Sequence, residues 1–362
     1  MLRALLIICL LGSSEAFSQG GSETELKVER KAKNWDTTMY RKYETVLIVG
    51  VFQQHRTFSN EFSQHMSKDS MGLSANTFST ESDFSGQIGL VANYDKFQLS
   101  VAKGLAPPDN AGGKGHTDVF NVGLNVGDNR WISENYYRRF KGFYNTNNRA
   151  LDSMARKTNK YYVLPGMVSS LFMTRFMFFR NYENFSFKSG FGCNYRQLKS
   201  AFTFVSGGSF SVFNLRNDSA IIPTKARSLY NDYANMRGMQ SVNVSYNVGF
   251  AGTLVVFKAW FIGGYFTVGP EQQWRNYDLT SYHRRLSYIS LSGTGRLSMG
   301  LNLKRFYMVW SFANDYNVYN SPKTIKLQSN SFTLNTTFGW RFHYDTPKFY
   351  QKFMKTKVYQ YL

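Results

Sequence analysis

The stretch SFTLNTTFGWRFHYD, which runs from Ser331 to Asp345, alternates between two kinds of side chain. Every second residue belongs to a series that is almost entirely apolar or aromatic: Phe332, Leu334, Thr336, Phe338, Trp340, Phe342 and Tyr344. The residues between them are polar, small or charged. Because successive side chains of a β-strand point to opposite faces of the sheet, this period of two predicts a strand with one apolar and one polar face.

The same alternation recurs along the chain. It is found in SVNVSYNVGFA (Ser241–Ala251), ISLSGTGRLSMGLNLK (Ile289–Lys304), VFNVGLNV (Val119–Val126) and FQLSVA (Phe97–Ala102). The polar series consists mainly of Asn, Ser, Thr and Gly. The apolar series is rich in aromatic residues, which make up 17% of the chain and gather at strand ends. Lipid-facing apolar side chains, a polar lumen and aromatic girdles at both interfaces are typical of a transmembrane β-barrel.

A soluble β-sandwich is the alternative, because its strands also alternate. Against it, the chain has only 7 proline residues, and the polar faces lack the charges of a solvated sheet. Many predicted strands are also longer than about ten residues, as membrane-spanning strands are. We therefore predict an all-β fold, a transmembrane antiparallel up-and-down β-barrel followed by a short C-terminal tail that is a candidate helix.

The connections indicate the topology of this barrel. Tight turns are predicted at NYDK (Asn93–Lys96), VGDN (Val126–Asn129), NYEN (Asn181–Asn184), VFKA (Val256–Ala259) and NLKR (Asn302–Arg305). Longer loops are predicted near residues 58–72, 106–117, 144–167, 214–240, 275–285 and 317–326. Short periplasmic turns, long outer loops and an even strand number then predict about 12 strands, in a range of about 10 to 14, with both termini periplasmic. Segment 184–213 is counted as one crossing, with an interruption near residues 192–200.

The N-terminus, MLRALLIICLLGSSEAFSQG, has the parts of a secretory signal peptide. Arg3 supplies a positive charge, an apolar segment follows, and Ala16-Phe17-Ser18 is a small-x-small cleavage signal. A buried N-terminal helix is the alternative. We predict cleavage after Ser18 and location in the cell outer membrane. The predicted divisions are residues 1–18 (signal peptide), 19–44 (periplasmic linker), 45–344 (barrel) and 345–362 (basic amphipathic tail).

The net charge limits the partners that are expected for this chain, and the cysteine content limits its disulfides and metal sites. The net charge is +20, and removal of Arg3 with Glu15 leaves it unchanged. For an exported chain, acidic lipid headgroups or polyanionic glycolipid are better partners than nucleic acid, although solvation of loops explains the charge equally well. The predicted mature chain keeps only Cys193, which excludes an intramolecular disulfide and cysteine-based metal sites. We expect contact with outer-membrane lipid, lipopolysaccharide among it, and with the barrel-assembly machinery.

Four segments also carry a resemblance: DTTMYRKYETVLIVGVF (Asp36–Phe52), ENYYRRFKGFY (Glu134–Tyr144), NFSFKSGFGCNYRQLKSAFTF (Asn184–Phe204) and FGWRFHY (Phe338–Tyr344). Together they resemble a family of outer-membrane β-barrels from Bacteroidetes, catalogued as domain-of-unknown-function family 4421. The third segment is the most specific. LPG (Leu164–Gly166) departs from the family pattern, in which an Arg-Pro-Asp type sequence is expected. The resemblance covers about residues 36–344, and it implies the barrel and its compartment but no activity.

Motifs for catalysis or metal binding are scarce. None of the five histidines has a metal-ligand spacing, and we expect no metal and no cofactor. HMS (His65–Ser67) and His283 raise the possibility of a lipid-cleaving Ser-His pair, but His65 and Ser67 fall in a predicted loop. The glycines of SGGS (Ser206–Ser209) and GTGR (Gly293–Arg296) lie within strands, where they relieve crowding or bend the wall.

Arg296 and Arg341 are the candidate lumen charges, because they lie on the polar faces of the tenth and twelfth predicted strands. A charge that faces lipid near mid-bilayer costs about 2–4 kcal/mol, so both side chains are predicted to point inward. They either attract anions or pair with lumen acids such as Asp118 or Glu134. We favour pairing, because confined charges usually have partners. At least one of them should have a carboxylate or backbone acceptor within hydrogen-bond reach.

The end of the closing strand and the C-terminal tail give two further predictions. Trp340, Phe342 and Tyr344 are the candidate aromatics of the periplasmic interface, at the end of the closing strand. The tail is either an interfacial basic helix or a frayed end.

The leading hypothesis for the function is a non-enzymatic barrel that acts in small-solute passage, in glycolipid or envelope binding, or in a structural role. The alternatives are an outer-membrane lipid-acting hydrolase and a soluble exported protein that binds polyanions.

Overall fold

The structure is a computed structural model, and it describes a large part of the chain. The described residues are 35–43, 46–64, 77–82, 85–105, 113–146, 161–224, 227, 230, 233–257, 259–279, 282–319 and 325–361. The predicted signal peptide, its cleavage point after Ser18 and most of the predicted linker lie outside them. Among the described helices, none has the length and apolar character that a membrane crossing needs.

Strands dominate the described chain. They are β1 (Tyr40–Lys42), β2 (Val46–Gln64), β3 (Thr77–Glu81), β4 (Ser85–Tyr94), β5 (Phe97–Gly104), β6 (Asp118–Gly127), β7 (Trp131–Asn145), β8 (Val163–Phe179), β9 (Tyr195–Gln197), β10 (Ala201–Arg216), β11 (Met236–Val256), β12 (Trp260–Leu279), β13 (Tyr282–Asn302), β14 (Phe306–Tyr319) and β15 (Ile325–His343). The helices are α1 (Phe187–Phe191), α2 (Lys348–Met354) and α3 (Lys357–Tyr361).

A closed 12-strand antiparallel barrel is formed by β2, β4–β8 and β10–β15. Closure comes from the pairing of the last strand with the first, in a register that runs from Ile325 opposite Gln64 to His343 opposite Val46. A closed sheet leaves no strand edge, so each strand pairs on both sides. The predicted fold class and strand number are confirmed.

The short strand β3 completes the wall at the loop end, which is the end of the barrel where the longer connections lie. β5 and β6 have only 8 and 10 residues, whereas β2 has 19. Beyond the short β5–β6 hairpin, β3 pairs with β2 on one side and with β7 at Thr80 and Glu81 on the other. The wall therefore remains hydrogen-bonded where the hairpin is too short to reach.

The predicted faces of the strands are correct. Apolar side chains on the outer surface are strongly exposed, for example Ile289 and Phe266, and so are Trp340, Phe342 and Tyr344. Small polar side chains such as Asn243 and Ser298 are buried inside. Glycines permit close approach in the wall, because a Cβ on Gly207 would lie 1.9 Å from the Phe176 carbonyl oxygen.

Tight turns occur at the turn end of the barrel, where α2 and α3 also lie, and the predicted turn at Asn181–Asn184 is present. This turn does not lead directly into the next strand of the wall. The chain leaves the wall at Phe179 and returns at Ala201, and residues 185–197 enter the lumen with α1 and β9. The interruption is thus longer than the predicted 192–200. The reason is that most of residues 185–197 are buried inside the barrel, so their aromatic side chains do not mark a lipid-facing strand.

The predicted long loop at residues 275–285 is wrong. β12 continues to Leu279 and β13 begins at Tyr282, so only two residues connect them. Their pairing extends through Arg275 opposite Leu286 and Tyr277 opposite Arg284. Polar residues were interpreted as a loop here, but backbone pairing does not require an apolar face once the strands pass beyond the apolar belt.

Two apolar clusters occupy the lumen at different heights. At the loop end, Ile221, Ile222, Tyr230 and Tyr233, here called the cap, pack against inward residues of the wall. At the turn end, residues 185–197, here called the plug, pack against other inward residues through Phe185, Phe187 and Cys193. β1 pairs with β9 and joins the plug to the N-terminal segment.

Candidate functional site

The inward side chains of a single strand give the order of layers along the lumen. On β2, Ile48 belongs to the cluster around the plug, and Phe58 belongs to the cluster around the cap. Between them, Phe52, Gln54 and Arg56 line a cavity of about 230 Å³. β7 repeats the order, because Ile132 contacts the plug cluster, Phe140 belongs to the cap cluster, and Glu134, Tyr136 and Arg138 line the same cavity.

This cavity, here called the chamber, is bounded by the plug and by strands from both halves of the wall. Plug residues Phe187–Cys193 form one boundary. Aromatic rings narrow the lumen on the loop side: Phe58 lies 5.2 Å from Phe140 and 6.2 Å from Phe213, measured between ring centroids. These three residues lie on β2, β7 and β10, so the contacts cross the lumen.

Glu134 is the first centre of charge in the chamber. Arg296 donates to both carboxylate oxygens, with Nη1 2.6 Å from Oε1 and Nη2 2.8 Å from Oε2. Arg175 Nη1 lies 3.7 Å from Oε2. A two-point guanidinium–carboxylate contact fixes both direction and distance, so it joins β13 to β7 across the lumen.

Asp315 is the second centre. Arg175 Nη2 lies 3.3 Å from Oδ1, and Arg138 Nη1 lies 3.3 Å from Oδ2. The Thr294 hydroxyl also donates to Oδ1 at 3.2 Å. Arg175 therefore contacts both carboxylates and links the two centres into one network that spans β7, β8, β13 and β14.

Arg56 differs from these arginines, because the hydrogen bonds that the structure gives it go to neutral groups. Its Nε donates to Thr333 Oγ1 at 2.9 Å. When the Gln54 amide is oriented with its oxygen toward Arg56, that oxygen accepts from Nε at 3.2 Å and from Nη2 at 3.1 Å. Within the described residues Nη1 is buried and has no hydrogen-bond partner. Arg56 is only 4% exposed.

A separate polar ladder runs along β12. Inward residues two apart contact each other: Gln273 Nε2 donates to Glu271 Oε1 at 2.5 Å, and Arg275 Nε donates to Gln273 Oε1 at 3.0 Å. Arg275 Nη1 donates to the Tyr277 hydroxyl at 3.1 Å. These side chains do not line the chamber.

Arg341 anchors the plug rather than lining the chamber. Its Nη2 donates to the Cys193 carbonyl at 2.5 Å and to Asn302 Oδ1 at 2.7 Å, while Nη1 donates to the Leu303 carbonyl at 2.5 Å. Asn302 Nδ2 in turn donates to the Tyr195 carbonyl at 3.0 Å. One guanidinium thus joins the plug to the β13–β14 turn.

Polar contacts at the turn end hold the tail against the barrel. Asp95, in the β4–β5 turn, accepts from Lys42 Nζ at 2.7 Å, from the Tyr350 hydroxyl at 2.9 Å and from the Tyr359 hydroxyl. Burial alone would raise the pKa of Asp95, but the Lys42 ammonium and the two phenol donors hold that pKa below its usual value. The tail is therefore packed rather than frayed, while Lys348, Phe349 and the other tail lysines face outward.

Lys188 in the plug is buried and donates to the Gly127 carbonyl. Burial lowers the pKa of this ammonium to about 8, although Asp128 nearby opposes that change. Tyr195 donates to Asp128 Oδ1 at 2.7 Å. The plug is thus tied to the β6–β7 turn as well as to the β13–β14 turn.

The remaining residues singled out in the sequence are placed as follows. His65 and Ser67 lie outside the described residues. His283 Nδ1 is 3.6 Å from Asp278 Oδ1, in an exposed cross-strand pair. Asp118, which was considered as a partner for the lumen arginines, is exposed, so that part of the prediction is wrong. The described residues hold no group of three or more His, Cys, Asp or Glu suited to a metal ion.

Sequence reasoning placed Arg296 and Arg341 in the lumen, and both side chains lie there, with Glu134 and backbone carbonyls respectively as acceptors. It missed Arg56, Arg138, Arg175 and Asp315. The available signal was a charge at an inward position of a membrane strand, such as Arg175 within LFMTRFMFF. Such a charge needs a partner inside the barrel, but the strand alone does not identify it.

Comparison with known proteins gives one family match. The model for the domain of unknown function DUF4421 matches residues 35–342. No curated protein matches the sequence.

Among solved structures, the fold is similar to the outer membrane protease OmpT from Escherichia coli, with 6% identity, a TM-score of 0.39, and coverage of 82% of this chain and 97% of that chain. It is similar to an outer membrane channel from Pseudomonas putida F1, with 9% identity, a TM-score of 0.33, and coverage of 82% and 95%. The translocator domain of the autotransporter NalP from Neisseria meningitidis shows 10% identity, a TM-score of 0.33, and coverage of 94% and 97%. At this level of similarity, no activity transfers to this chain.

Proposed function

The chain belongs to the DUF4421 family of unknown function, and we propose that it is a non-enzymatic outer-membrane barrel whose lumen is closed around an internal chamber. The observation that carries this proposal is the layering of the lumen. A plug at the turn end and a cap with crossing aromatic rings at the loop end lie on either side of a polar, charged cavity. Small solutes would enter or leave such a chamber only when the plug or the cap rearranges, so the barrel would not conduct them continuously.

Location in the outer membrane is supported by the outer surface of the wall. Exposed aliphatic and aromatic side chains cover it, which would be unfavourable in water at this extent. In lipid the same surface is stable, because the closed sheet satisfies its backbone groups internally. Short turns and both termini then face the periplasm, and the loop end faces outward. The proposed partners are outer-membrane lipid, including lipopolysaccharide, and the barrel-assembly machinery.

The non-enzymatic part rests on how the lumen acids are engaged. Glu134 and Asp315 each accept hydrogen bonds from arginines, so their carboxylate oxygens are already occupied by fixed partners. A general base or acid needs a carboxyl group that can exchange a proton with a substrate. The lipid-acting alternative has His283 at the exposed end of β13, where Asp278 is its neighbour.

Planar-bilayer recording on the refolded chain tests the closed lumen. We expect a silent baseline with rare openings. The Arg341→Gln variant should open more often, because it removes donors to the Cys193 and Leu303 carbonyls. Arg216→Gln, at an exposed arginine on β10, is the matched control and should behave as the original chain. Continuous conductance by the unaltered chain would overturn the closed-lumen proposal.

Two further measurements address location and activity. The chain should fractionate with the outer membrane and migrate differently on a gel before and after heating, as folded barrels do; recovery as a soluble periplasmic protein would contradict the proposal. Purified protein should release no fatty acid from phospholipid or lipopolysaccharide. Release that disappears in a His283→Ala variant would instead support the hydrolase.

A further inference from the structure

We propose that the chamber binds a small oxyanion, a phosphate or carboxylate group, at Arg56. The inference rests on the proposed closed barrel only in that both closures separate the chamber from bulk solvent. The proposed binding site consists of buried side chains that line the cavity. Arg56, which is not part of the ion-pair network, would hold the anion.

Arg56 is a buried cation whose hydrogen bonds in the structure go to Thr333 and Gln54, which carry no charge. An arginine cannot shed its proton under ordinary conditions, and an isolated buried charge is strongly unfavourable. Arg56 lines the cavity, and its Nη1 is a buried donor with no partner among the described residues. An anion in the chamber would supply both the missing charge and the missing acceptor.

Cationic side chains outnumber carboxylates in the lining of the cavity. Four cationic side chains line it, Arg56, Arg138, Lys188 and Arg296, but only two carboxylates do, Glu134 and Asp315. Both carboxylates are already engaged by other arginines. The charged groups that act on Arg56 include the cations Arg138 and Arg296 and one carboxylate, Asp315, which Arg138 and Arg175 already share. The cavity therefore has a surplus of positive charge, to which Arg56 contributes.

Unsatisfied hydrogen-bonding groups belong to several side chains that line the cavity. Arg138 has a second buried guanidinium N–H, at Nε, without a partner within the described chain. Asn121 and Asn335 also line the chamber, and among the described residues neither buried amide oxygen has a donor. Unsatisfied donors and acceptors in one lining suit an oxyanion that carries a hydroxyl group, such as hydrogen phosphate, or an oxyanion with water, once small side-chain shifts bring them to the ligand.

The size of the cavity is compatible with such a ligand. About 10–15 Å³ of this kind of volume already holds one water, so a cavity of about 230 Å³ has room for a phosphate or a short carboxylate together with water.

The test is thermal unfolding of the refolded full chain in detergent, followed by the gel shift between folded and unfolded forms. Sodium phosphate, sodium acetate or sodium chloride is present during refolding, at equal ionic strength, because the chamber is closed afterwards. The melting temperature should rise with phosphate or acetate concentration relative to chloride, as expected for a ligand of the folded state. A larger effect of phosphate than of acetate would identify phosphate as the better source of the oxyanion.

Arg56→Gln is the decisive variant. It should lower the affinity for the effective anion by about ten- to a hundredfold, the effect of one charge-assisted hydrogen bond. Without the anion it should melt at or above the temperature of the original chain, because a buried uncompensated charge is removed. Arg216→Gln, which alters an exposed arginine, should retain the full response.

Each outcome distinguishes the two proposals. An unchanged anion response in Arg56→Gln, or no response of the original chain to either oxyanion, overturns the anion site while a silent bilayer recording still supports the closed barrel. A response that depends on Arg56 in a chain that conducts continuously supports the anion site and overturns the closed barrel.

Discussion

Arg296 on β13 and Glu134 on β7 face each other across the lumen and share two hydrogen bonds, of 2.6 Å and 2.8 Å. The strands are far apart in the order of the sheet, with β12, β11, β10 and β8 between them on one side. The pair therefore acts as a strut inside the barrel. Glu134 also lies 3.7 Å from Arg175, so one carboxylate balances two guanidinium groups.

Removal of Glu134 should destabilise the barrel more than removal of Arg296. Glu134→Gln leaves two buried cations with less compensation, whereas after Arg296→Gln the carboxylate still has Arg175 nearby. Breaking a buried pair from one side costs about 3–5 kcal/mol. We expect a loss of this size for Glu134→Gln and a smaller one for Arg296→Gln, measured by denaturant unfolding in detergent. Glu183→Gln, at an exposed glutamate, is the control and should change little. Equal losses for the two lumen variants would contradict the shared role of Glu134.

Release of the plug should expose Cys193. The thiol is buried, and burial raises its pKa to about 12, so the folded chain should react very slowly with maleimide near neutral pH. Arg341→Gln removes charged donors to the Cys193 and Leu303 carbonyls and should raise the labelling rate at least about tenfold. Mass spectrometry of the labelled chain gives the rate, and Arg216→Gln is the matched control. Fast labelling of the unaltered chain would show that the plug is not held as described.

Acid should weaken the attachment of the tail through Asp95. Its pKa is lower in the folded chain than in the unfolded chain, so its contribution is present in full above the ordinary aspartate value of about 3.9. That contribution is lost as the pH falls through the folded pKa. Asp95→Asn should therefore melt at a lower temperature than the original chain at pH 7, and the difference should shrink below about pH 4. Asp345→Asn, at a carboxylate whose side chain is 98% exposed, is the control. A difference that stays constant through this range would show that the ionised Asp95 carboxylate does not hold the tail.

Lys188 should make the barrel more stable at moderately alkaline pH. The pKa of its ammonium is about 8 in the folded chain. The ordinary value is about 10.4, so the unfolded chain binds more protons between these two values. Stability then rises with pH in that window. From pH 7.5 to 9.5, the original chain should gain melting temperature relative to Lys188→Met. Lys199→Met, at an exposed lysine, should follow the original chain. A constant gap between the original chain and Lys188→Met would mean that Lys188 does not titrate in this range.

Several features of this protein could be predicted from the sequence, because they depend on local periodicity. The alternation in SFTLNTTFGWRFHYD determines which side chains of β15 face outward, and the same rule holds for β11 and β13. The strand number followed from turn and loop lengths, and inward placement of Arg296 and Arg341 followed from the parity of their strands. Each of these inferences needs only residues that are close in the chain.

Only the tertiary structure decided what meets inside the barrel. In the lumen Glu134 contacts Arg296, although 162 residues separate them in the chain. The alternation of side chains along one strand says nothing about contacts between residues so far apart. The inward path of residues 185–197 was predicted only as an interruption near residues 192–200, because burial inside a barrel and exposure to lipid select similar apolar residues. Arg56 and Arg296 both point inward, but within the described part of the chain only Arg296 of these two has a carboxylate at hydrogen-bond distance. That difference depends on how far each strand is shifted around the closed sheet, and closure is a property of all twelve strands together.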